Sequence, residues 1–243
     1  MSGTATPHTA NLLLAALPSE EYDRLLPDLT VLALALRTML HEADAPFDAV
    51  YFPLTGVASV TTLMADGGMV EVGTIGREGM TGLPAFFGAY ISPLPAFVQG
   101  AGDFVRLPIA PFHAAAAAGT ALHTLLLRFA HAYYILAAQS AGCNRLHPIA
   151  QRCARWLLLT QDRVGLATFP LSHEFLGYML GVRRPSVTIA MGALQRAGLL
   201  TYHRGIVTIV DRPGLEAASC ECYAIIRRAF DELPQPAHLA DGK

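Results

Sequence analysis

The residues best suited to chemistry form a short basic cluster, Arg183-Arg184-Pro185-Ser186, with Thr188 two positions further along. A guanidinium group can donate two parallel hydrogen bonds to a phosphate or to the O6 and N7 atoms of guanine. Hydroxyl groups, and the free N–H groups at the start of a helix, bind phosphate oxygens. The cluster therefore carries the donors that binding to a nucleic acid requires.

Two short helices joined by a tight turn are predicted to position this cluster. Ser172 is a favourable N-cap for the first helix, and Gly181 can adopt the left-handed conformation that ends it. The second helix is predicted from Arg183 to Arg196, since Pro185 is tolerated in a first turn. Its inward face would consist of Val187, Ala190 and Leu194. This order predicts a helix-turn-helix with the basic cluster at the start of its second helix.

Two β-rich runs follow the second helix, at residues 199–202 and 206–210, and they flank His203-Arg204-Gly205. A hairpin directly after such a helix is predicted to be a wing whose tip carries Arg204. We expect Arg184 to read a base and the other polar residues mainly to hold phosphates. The predicted DNA contacts are His173, Arg183, Arg184, Pro185, Ser186, Thr188, Ile189 and Arg204.

Charge divides the chain into two parts of opposite sign. Residues 145–230 contain eleven arginines and five acidic residues, a net charge of +6. Residues 1–144 contain five arginines and eleven acidic residues, a net charge of −6. A basic module releases counterions from a polyphosphate, whereas an acidic module is repelled by it. The two parts are therefore expected to have different partners.

The front of the chain, from residue 30 to residue 108, is predicted to contain many short strands. Val57–Met64 and Met69–Ile75 flank Asp66-Gly67, which is a typical hairpin signal. The runs 97–99 and 104–107 flank a glycine-rich turn and predict a second hairpin. Short strands with Gly and Pro turns indicate an antiparallel β-roll. The fold class expected for the whole chain is α+β.

A long helix is predicted over residues 112–145, where Arg128 is the single charged side chain before Arg145. An apolar helix must be covered, either by the roll or by a second copy of itself. We favour the second arrangement. The predicted dimerisation residues are Leu122, Leu125, Leu126, Phe129, Tyr133 and Leu136. The expected domains are a sensor roll at 1–111, this dimerisation helix, and a winged-helix DNA-binding domain at 146–243.

The sequence resembles the Crp/Fnr superfamily, the relatives of the cyclic-AMP receptor protein, over about residues 11–225. The resemblance lies in Tyr51–Ser59, in Gly76–Pro84 and above all in Leu176–Leu199. It implies a homodimeric transcription regulator that binds a pseudo-palindromic site in double-stranded DNA. It also implies a cyclic-nucleotide-binding-like roll that senses a signal, and contact with RNA polymerase.

Two departures from the family pattern affect the expected ligands. Cyclic-AMP-binding members open the recognition helix with Ser-Arg-Glu-Thr, whereas this chain keeps the arginine at Arg184 but has Pro185 and Ile189 where base contacts are usual. Those members also hold the cyclic phosphate with an arginine, which residues 83–88 lack. The operator should therefore differ, and an apolar effector, or none, fits better than a cyclic nucleotide. The predicted effector pocket is Glu71, Arg77, Glu78, Gly79 and Met80.

The cysteines give no sign of a cofactor. None of Cys143, Cys153, Cys220 and Cys222 forms a Cys-x-x-Cys pair, and Cys220-x-Cys222 is too tight for an ordinary zinc site. We expect no metal, and free thiols in a reducing cytoplasm. The first ten residues do not read as a secretory signal. Prolines and glycines within the uncharged stretches 79–102 and 107–127 argue against membrane spans.

Two other classes of function remain open at this point. The winged helix could dock a protein instead of DNA, which would make the chain a sensing and interaction module. A β-roll could also belong to a cupin-like metalloenzyme, but residues 30–108 contain a single histidine, His41, so we do not expect an enzyme. A haem sensor is a variant of the main interpretation, with His41, His113 and Cys143 as candidate ligands.

Overall fold

The computed structural model describes residues 10–65 and 67–233. The first half contains α1 (Leu12–Ala15), α2 (Ser19–Leu25), β1 (Thr30–Leu34), β2 (Met39–His41), β3 (Ala49–Pro53), β4 (Val57–Leu63), β5 (Met69–Ile75), α3 (Leu83–Phe86), β6 (Ala96–Gly100), β7 (Gly102–Pro108) and α4 (Ile109–Ala115). The second half contains α5 (Ala121–Leu146), α6 (Ile149–Val164), β8 (Thr168–Pro170), α7 (His173–Leu180), α8 (Arg184–Arg196), β9 (Leu200–His203), β10 (Ile206–Ile209), α9 (Arg212–Ala218) and α10 (Cys222–Asp231).

The front half folds into an antiparallel roll made of two sheets. One sheet has the strand order β1-β7-β3 and the other has the order β2-β6-β4-β5. Phe52 and Phe104 are fully buried in the core of the roll. The predicted pairing of β4 with β5 is confirmed, with Ala58 opposite Ile75, while Asp66 of the predicted turn lies outside the described residues. The predicted α+β fold class is thus confirmed.

The second predicted hairpin is wrong, because β6 and β7 lie in different sheets. β6 pairs with β2 and β4, whereas β7 pairs with β1 and β3. The chain passes from one sheet to the other at Ala101. At the next residue, Gly102, its backbone lies very close to the backbone of Gly56. A Cβ atom on Gly102 would lie 2.5 Å from the backbone nitrogen of Gly56, so a larger residue does not fit there. The glycine-rich segment is therefore a crossing between sheets.

The predicted helix at 112–145 is two helices, α4 and α5. Gly119 lies between them with φ 93°, and the Thr120 hydroxyl accepts a hydrogen bond from the backbone N–H of His123 at the start of α5. Glycine in the left-handed region followed by an N-cap ends one helix and begins the next. Within the described residues, no helix combines the length and apolar character that crossing a bilayer requires.

The predicted dimerisation residues face the interior of their own chain. Leu122, Leu126 and Phe129 are fully buried in the core of the roll. Leu136 is buried in a second core, and Leu125 and Tyr133 pack partly buried against the roll. The prediction of a dimer seam is therefore wrong for the buried residues Leu122, Leu126, Phe129 and Leu136, and for Leu125 and Tyr133 it stays a prediction. Their spacing identifies the apolar face of the helix, but spacing alone does not determine what covers that face.

The opposite face of α5 is exposed and has its own repeat. Its exposed residues include Thr124, Leu127, His131, Tyr134, Ala138, Ala141 and Arg145. These positions alternate in steps of three and four residues, the spacing of a coiled-coil seam. Tyr134 has 71% of its surface exposed, and Leu127 has 51%.

The back half packs around a second core that contains Trp156 on α6, Leu176 on α7 and Val187 on α8. A small sheet with the strand order β8-β10-β9 completes it, and β8 was not predicted. Asp211 caps the last helical region, as its carboxylate accepts from the backbone N–H of Gly214. This helical region is interrupted after Ala218 and resumes at Cys222.

Candidate nucleic-acid interface

The turn between α7 and α8 is closed by local interactions that the sequence predicts. The Ser172 hydroxyl accepts a hydrogen bond of 3.0 Å from the backbone N–H of Phe175, and Gly181 ends α7 with φ 61°. The backbone N–H of Val182 then donates to the carbonyl of Gly177 at 2.9 Å. A Cβ atom on Gly177 would lie 2.9 Å from the Val182 carbonyl oxygen, so this glycine lets the turn close.

The start of α8 points away from the protein. Its inward residues Val187, Ala190 and Leu194 are buried, as predicted. Arg183 is the N-cap of the helix, and Arg184 begins it. The exposed predicted contacts are Arg183, Arg184, Pro185, Thr188 and Ile189, and Ser186 is partly exposed. The cluster is thus available to a partner, and 72% of the Ile189 surface is exposed beside it.

His173 connects α7, α8 and the wing. Its Nδ1 atom lies 3.0 Å from the Thr188 hydroxyl, and its ring stacks on Tyr202 with ring centroids 4.3 Å apart. Burial, and then the positive charge of Arg184, lower the pKa of His173. A neutral, stacked imidazole holds α8 against the wing. This position suits a structural role between α8 and the wing better than the phosphate contact predicted from the sequence.

The wing is a tight hairpin between β9 and β10. Arg204 and Gly205 form its turn with φ 48° and φ 79°, the left-handed conformations of a two-residue hairpin loop. Arg204 is exposed at the tip. The backbone N–H of Tyr202 donates to the Gln195 side chain at 3.2 Å, which fixes the wing to α8.

The predicted effector residues do not converge on one cavity. Gly79 and Met80 are buried beneath α5, and a Cβ atom on Gly79 would lie 2.2 Å from the Phe129 ring. Arg77 is exposed. Glu71 and Glu78 each bond a side chain of α6 instead. The five residues therefore do not form one pocket: Glu71 and Glu78 bond α6, Gly79 and Met80 are buried, and of the five only Arg77 and Glu78 line a common surface cavity.

Two acidic side chains join the roll to α6. Glu78 forms an ion pair of 3.0 Å with Nε of Arg163, and it also accepts a hydrogen bond from the backbone N–H of Gly76. The Glu71 carboxylate accepts 2.8 Å hydrogen bonds from Trp156 Nε1 and from the Ser59 hydroxyl. Both contacts connect the segment around β5 to α6, the helix that precedes the helix-turn-helix.

The Glu71 contact predicts a pH dependence of stability. Burial raises the pKa of Glu71 to about 7, despite hydrogen bonds from Ser59 and Trp156 that lower it. In the unfolded chain this carboxyl has its ordinary pKa of 4.5, so it loses its proton at a lower pH than in the folded protein. The free energy of unfolding should therefore fall as the pH rises from about 4.5 to about 7. Relative to Glu71→Gln, the parent should lose roughly 2–3 kcal/mol over that interval.

Urea unfolding of both proteins at several pH values measures this difference. Other titrating groups contribute equally to parent and variant, so they cancel in the comparison. Parallel curves for the parent and Glu71→Gln would show that this carboxyl has the same pKa in the folded and the unfolded protein, and would contradict the prediction.

A separate apolar cavity of about 160 Å³ lies inside the roll. Its lining includes Phe47, Ile75, Leu83 and Tyr133, together with the buried His41. His41 bonds the Thr81 hydroxyl at 2.9 Å, and burial lowers its pKa to about 4. No sequence pattern indicates this cavity, since its lining comes from segments that only the folded roll brings together.

The three haem ligands suggested by the sequence do not form one group. Among the described residues, the one group of three or more His, Cys or acidic side chains close enough to share a metal ion includes Cys143 but neither His41 nor His113.

The comparisons with known proteins agree with this architecture. Residues 151–218 match the Crp-like helix-turn-helix domain. No curated protein matches the chain by sequence. A transcriptional regulator of the Crp/Fnr family from Eubacterium rectale has 16% identity and a TM-score of 0.67 over 85% of this chain and 96% of its own.

Two further solved structures have the same fold. FixK2 from Bradyrhizobium japonicum has 18% identity and a TM-score of 0.65 over 79% of this chain and 98% of its own. A CRP-family transcriptional regulator from Thermus thermophilus has 19% identity and a TM-score of 0.65 over 78% of this chain and 96% of its own. Residues 151–218 therefore carry the Crp-like helix-turn-helix domain, and the chain shares its fold with solved structures of Crp/Fnr-family transcriptional regulators.

Proposed function

We propose that this protein is a transcription regulator that reads a specific sequence in double-stranded DNA with the start of α8. The observation that carries the proposal is the exposed pair Arg183 and Arg184 at the helix start, with the wing tip Arg204 on the same domain. The net charge of +6 over residues 145–230 supports binding to a polyphosphate.

Each exposed side chain has a role in this proposal. Arg184 binds the O6 and N7 atoms of guanine in the major groove. Ile189, with its large apolar exposure, suits the methyl group of thymine. Arg183, Ser186 and Arg204 hold phosphates and set the register of the helix in the groove. His173 and Thr188 keep the helix at a fixed angle to the wing.

The active form in this proposal is a homodimer that pairs through the exposed face of α5. That face has coiled-coil spacing, and Leu127 and Tyr134 provide its largest apolar side chains. Two copies would place their recognition helices in successive major grooves, about one DNA turn apart. Contact with RNA polymerase is part of the same proposal and rests on the family alone.

The signal in this proposal is a small apolar molecule in the cavity of the roll. The lining is mostly apolar, and an anionic phosphate would find no arginine or lysine in it. This supports a ligand of a different class from a cyclic nucleotide.

The test is selection of bound fragments from genomic DNA, followed by Arg184→Ala. Loss of the two guanine hydrogen bonds should weaken binding by about 1–3 kcal/mol, about 5- to 150-fold in Kd, and relax one position of the site. Arg196→Ala is the matched control, since it removes an equal charge from the other end of the same helix.

The two variants separate DNA reading from other functions. If Arg184→Ala binds the selected site as tightly as Arg196→Ala does, the base-reading role is wrong. If no genomic fragment is enriched, and a protein partner binds with little dependence on salt, the winged helix is a protein-docking module.

A further inference from the structure

Three buried thiols and one partly buried imidazole meet near the end of α5 and the junction between α9 and α10. The group consists of Cys143, His147, Cys220 and Cys222. Their ligand atoms all lie within 4.8 Å of one another. The two sulfur atoms of Cys143 and Cys220 are 3.5 Å apart, and the Cys222 sulfur is 3.6 Å from Nδ1 of His147.

These distances fit four ligands around a single tetrahedral ion. With Zn–S bonds of about 2.3 Å and Zn–N bonds of about 2.0 Å, tetrahedral angles put two sulfurs about 3.8 Å apart and a sulfur about 3.5 Å from a nitrogen. The two close pairs are already near these values. An iron–sulfur cluster contains several metal ions and bridging sulfides, so its cysteines would have to be further apart.

The surroundings of His147 provide a second and independent observation. While Nδ1 faces the Cys222 sulfur, Nε2 lies 3.3 Å from a carboxylate oxygen of Glu221. A metal-binding histidine commonly donates its other ring N–H to a carboxylate, which fixes the tautomer and turns the free nitrogen to the metal. The imidazole is thus oriented as a ligand, although Glu221 itself lies at the surface.

Two buried arginines provide the charge that an anionic centre needs. Arg152 and Arg155 are buried on α6, and neither forms an ion pair with a carboxylate among the described residues. Their Nε atoms have no hydrogen-bond partner there, while their terminal nitrogens donate only to neutral acceptors, Arg152 to the Leu180 carbonyl and Arg155 to the Ser140 hydroxyl. Both interact electrostatically with Cys143. Buried charges are normally paired, so an anionic group beside these guanidinium groups would explain their burial.

We propose that these three thiolates and the imidazole bind one Zn²⁺ ion. Binding releases three thiol protons to solvent and leaves a centre with a net charge of −1, which the two arginines offset. Thiolate and imidazole are the ligands that Zn²⁺ prefers, and four protein ligands are typical of a structural site. A surface depression lined by Cys220 and Glu221 gives the ion a path from solvent.

The site connects parts of the chain that are far apart in sequence. Cys143 and Cys220 are 77 residues apart, the first at the end of α5 and the second after α9. The ion therefore fastens the end of the DNA-binding domain to the helix that emerges from the roll. Loss of zinc should release α10 from α5, so metal content would affect how the two domains are held together.

The first test measures metal in the full chain purified under reducing conditions and incubated with zinc chloride. One zinc per chain is expected in the parent by elemental analysis, and most of it should be lost in Cys222→Ser. Cys153→Ala is the matched control, because Cys153 is buried on α6 but is not a member of the group. Co²⁺ in place of Zn²⁺ should give the intense absorption of a tetrahedral thiolate site.

A second variant keeps the proposal testable even if the loss of a cysteine prevents folding. Glu221→Gln changes an exposed side chain and leaves all four ligands in place, yet it should weaken zinc binding about 10- to 100-fold in competition with a chelator. Substoichiometric zinc in the parent, no cobalt spectrum, or equal zinc in the parent and a folded Cys222→Ser would each overturn the proposal. A disulfide between Cys143 and Cys220 found in place of zinc under reducing conditions would overturn it as well.

Discussion

Replacement of Arg163 by methionine is expected to lower the free energy of unfolding by about 3–5 kcal/mol. The Arg163 and Glu78 side chains are 4% and 13% exposed, and their charged atoms are 3.0 Å apart. Methionine would leave the Glu78 carboxylate buried without its partner, and this costs far more than the pair itself contributes. Arg163 also donates to the backbone carbonyl of Thr74 at 3.1 Å and lies over the Phe230 ring, so several contacts would be lost together.

Arg106→Met is the matched control for this measurement, because it breaks an ion pair of nearly equal length at the surface. Arg106 and Asp48 are 2.9 Å apart, with side chains 31% and 67% exposed. Water screens such a pair, so its loss should cost no more than about 1 kcal/mol. Urea unfolding of the three proteins compares the two sites. Equal losses in the two variants would mean that water reaches Glu78 and that the pair is not a buried clamp.

The Arg163 pair bears on function as well as on stability. It joins the loop after β5 to the last turn of α6, while Glu71 and Trp156 join β5 itself to the middle of that helix. The roll therefore contacts the DNA-binding domain through specific polar bonds. A change in the roll that moves β5 would act directly on α6, without a long path through the protein.

The helix-turn-helix could be predicted from the sequence because its determinants are local. Ser172 caps α7, Gly181 ends it, and Pro185 is compatible only with the first turn of α8. Each of these residues acts on its near neighbours, so the pattern of residue types is enough to predict the structure. The same is true of the β4–β5 hairpin and of the wing.

Features that depend on distant contacts could not be predicted in this way. The sequence does not determine that β6 and β7 join different sheets, because each strand pairs with partners far away along the chain. The cysteine and histidine group around Cys143 forms only because α10 packs against α5 in the folded chain. The spacing of these four residues along the sequence therefore resembles no metal-binding motif. For the same reason, the sequence does not indicate that Glu71 and Glu78 bond side chains of α6.

Phe129→Ala is expected to lower the free energy of unfolding by about 3–5 kcal/mol, since it would empty a fully enclosed position. The ring is completely buried and lies directly on the backbone of Gly79, where even a Cβ atom would meet it at 2.2 Å. It also packs near Tyr133 and Phe230, with ring centroids 5.9 and 6.4 Å away. A backbone held this closely cannot collapse into the space that a phenyl ring leaves.

Leu127→Glu on the other face of α5 separates the two possible roles of this helix. Leu127 is 51% exposed in the single chain, so its replacement should change the stability of the chain little while placing like charges opposite each other in a dimer. Light scattering coupled to gel filtration should then report a dimer for folded Phe129→Ala and a monomer for Leu127→Glu. The reverse result, a stable monomeric Phe129→Ala and a dimeric Leu127→Glu, would mean that α5 leaves the roll and pairs through its apolar face. Because the chain buries that face in its own core, only the exposed face can pair without unfolding the roll.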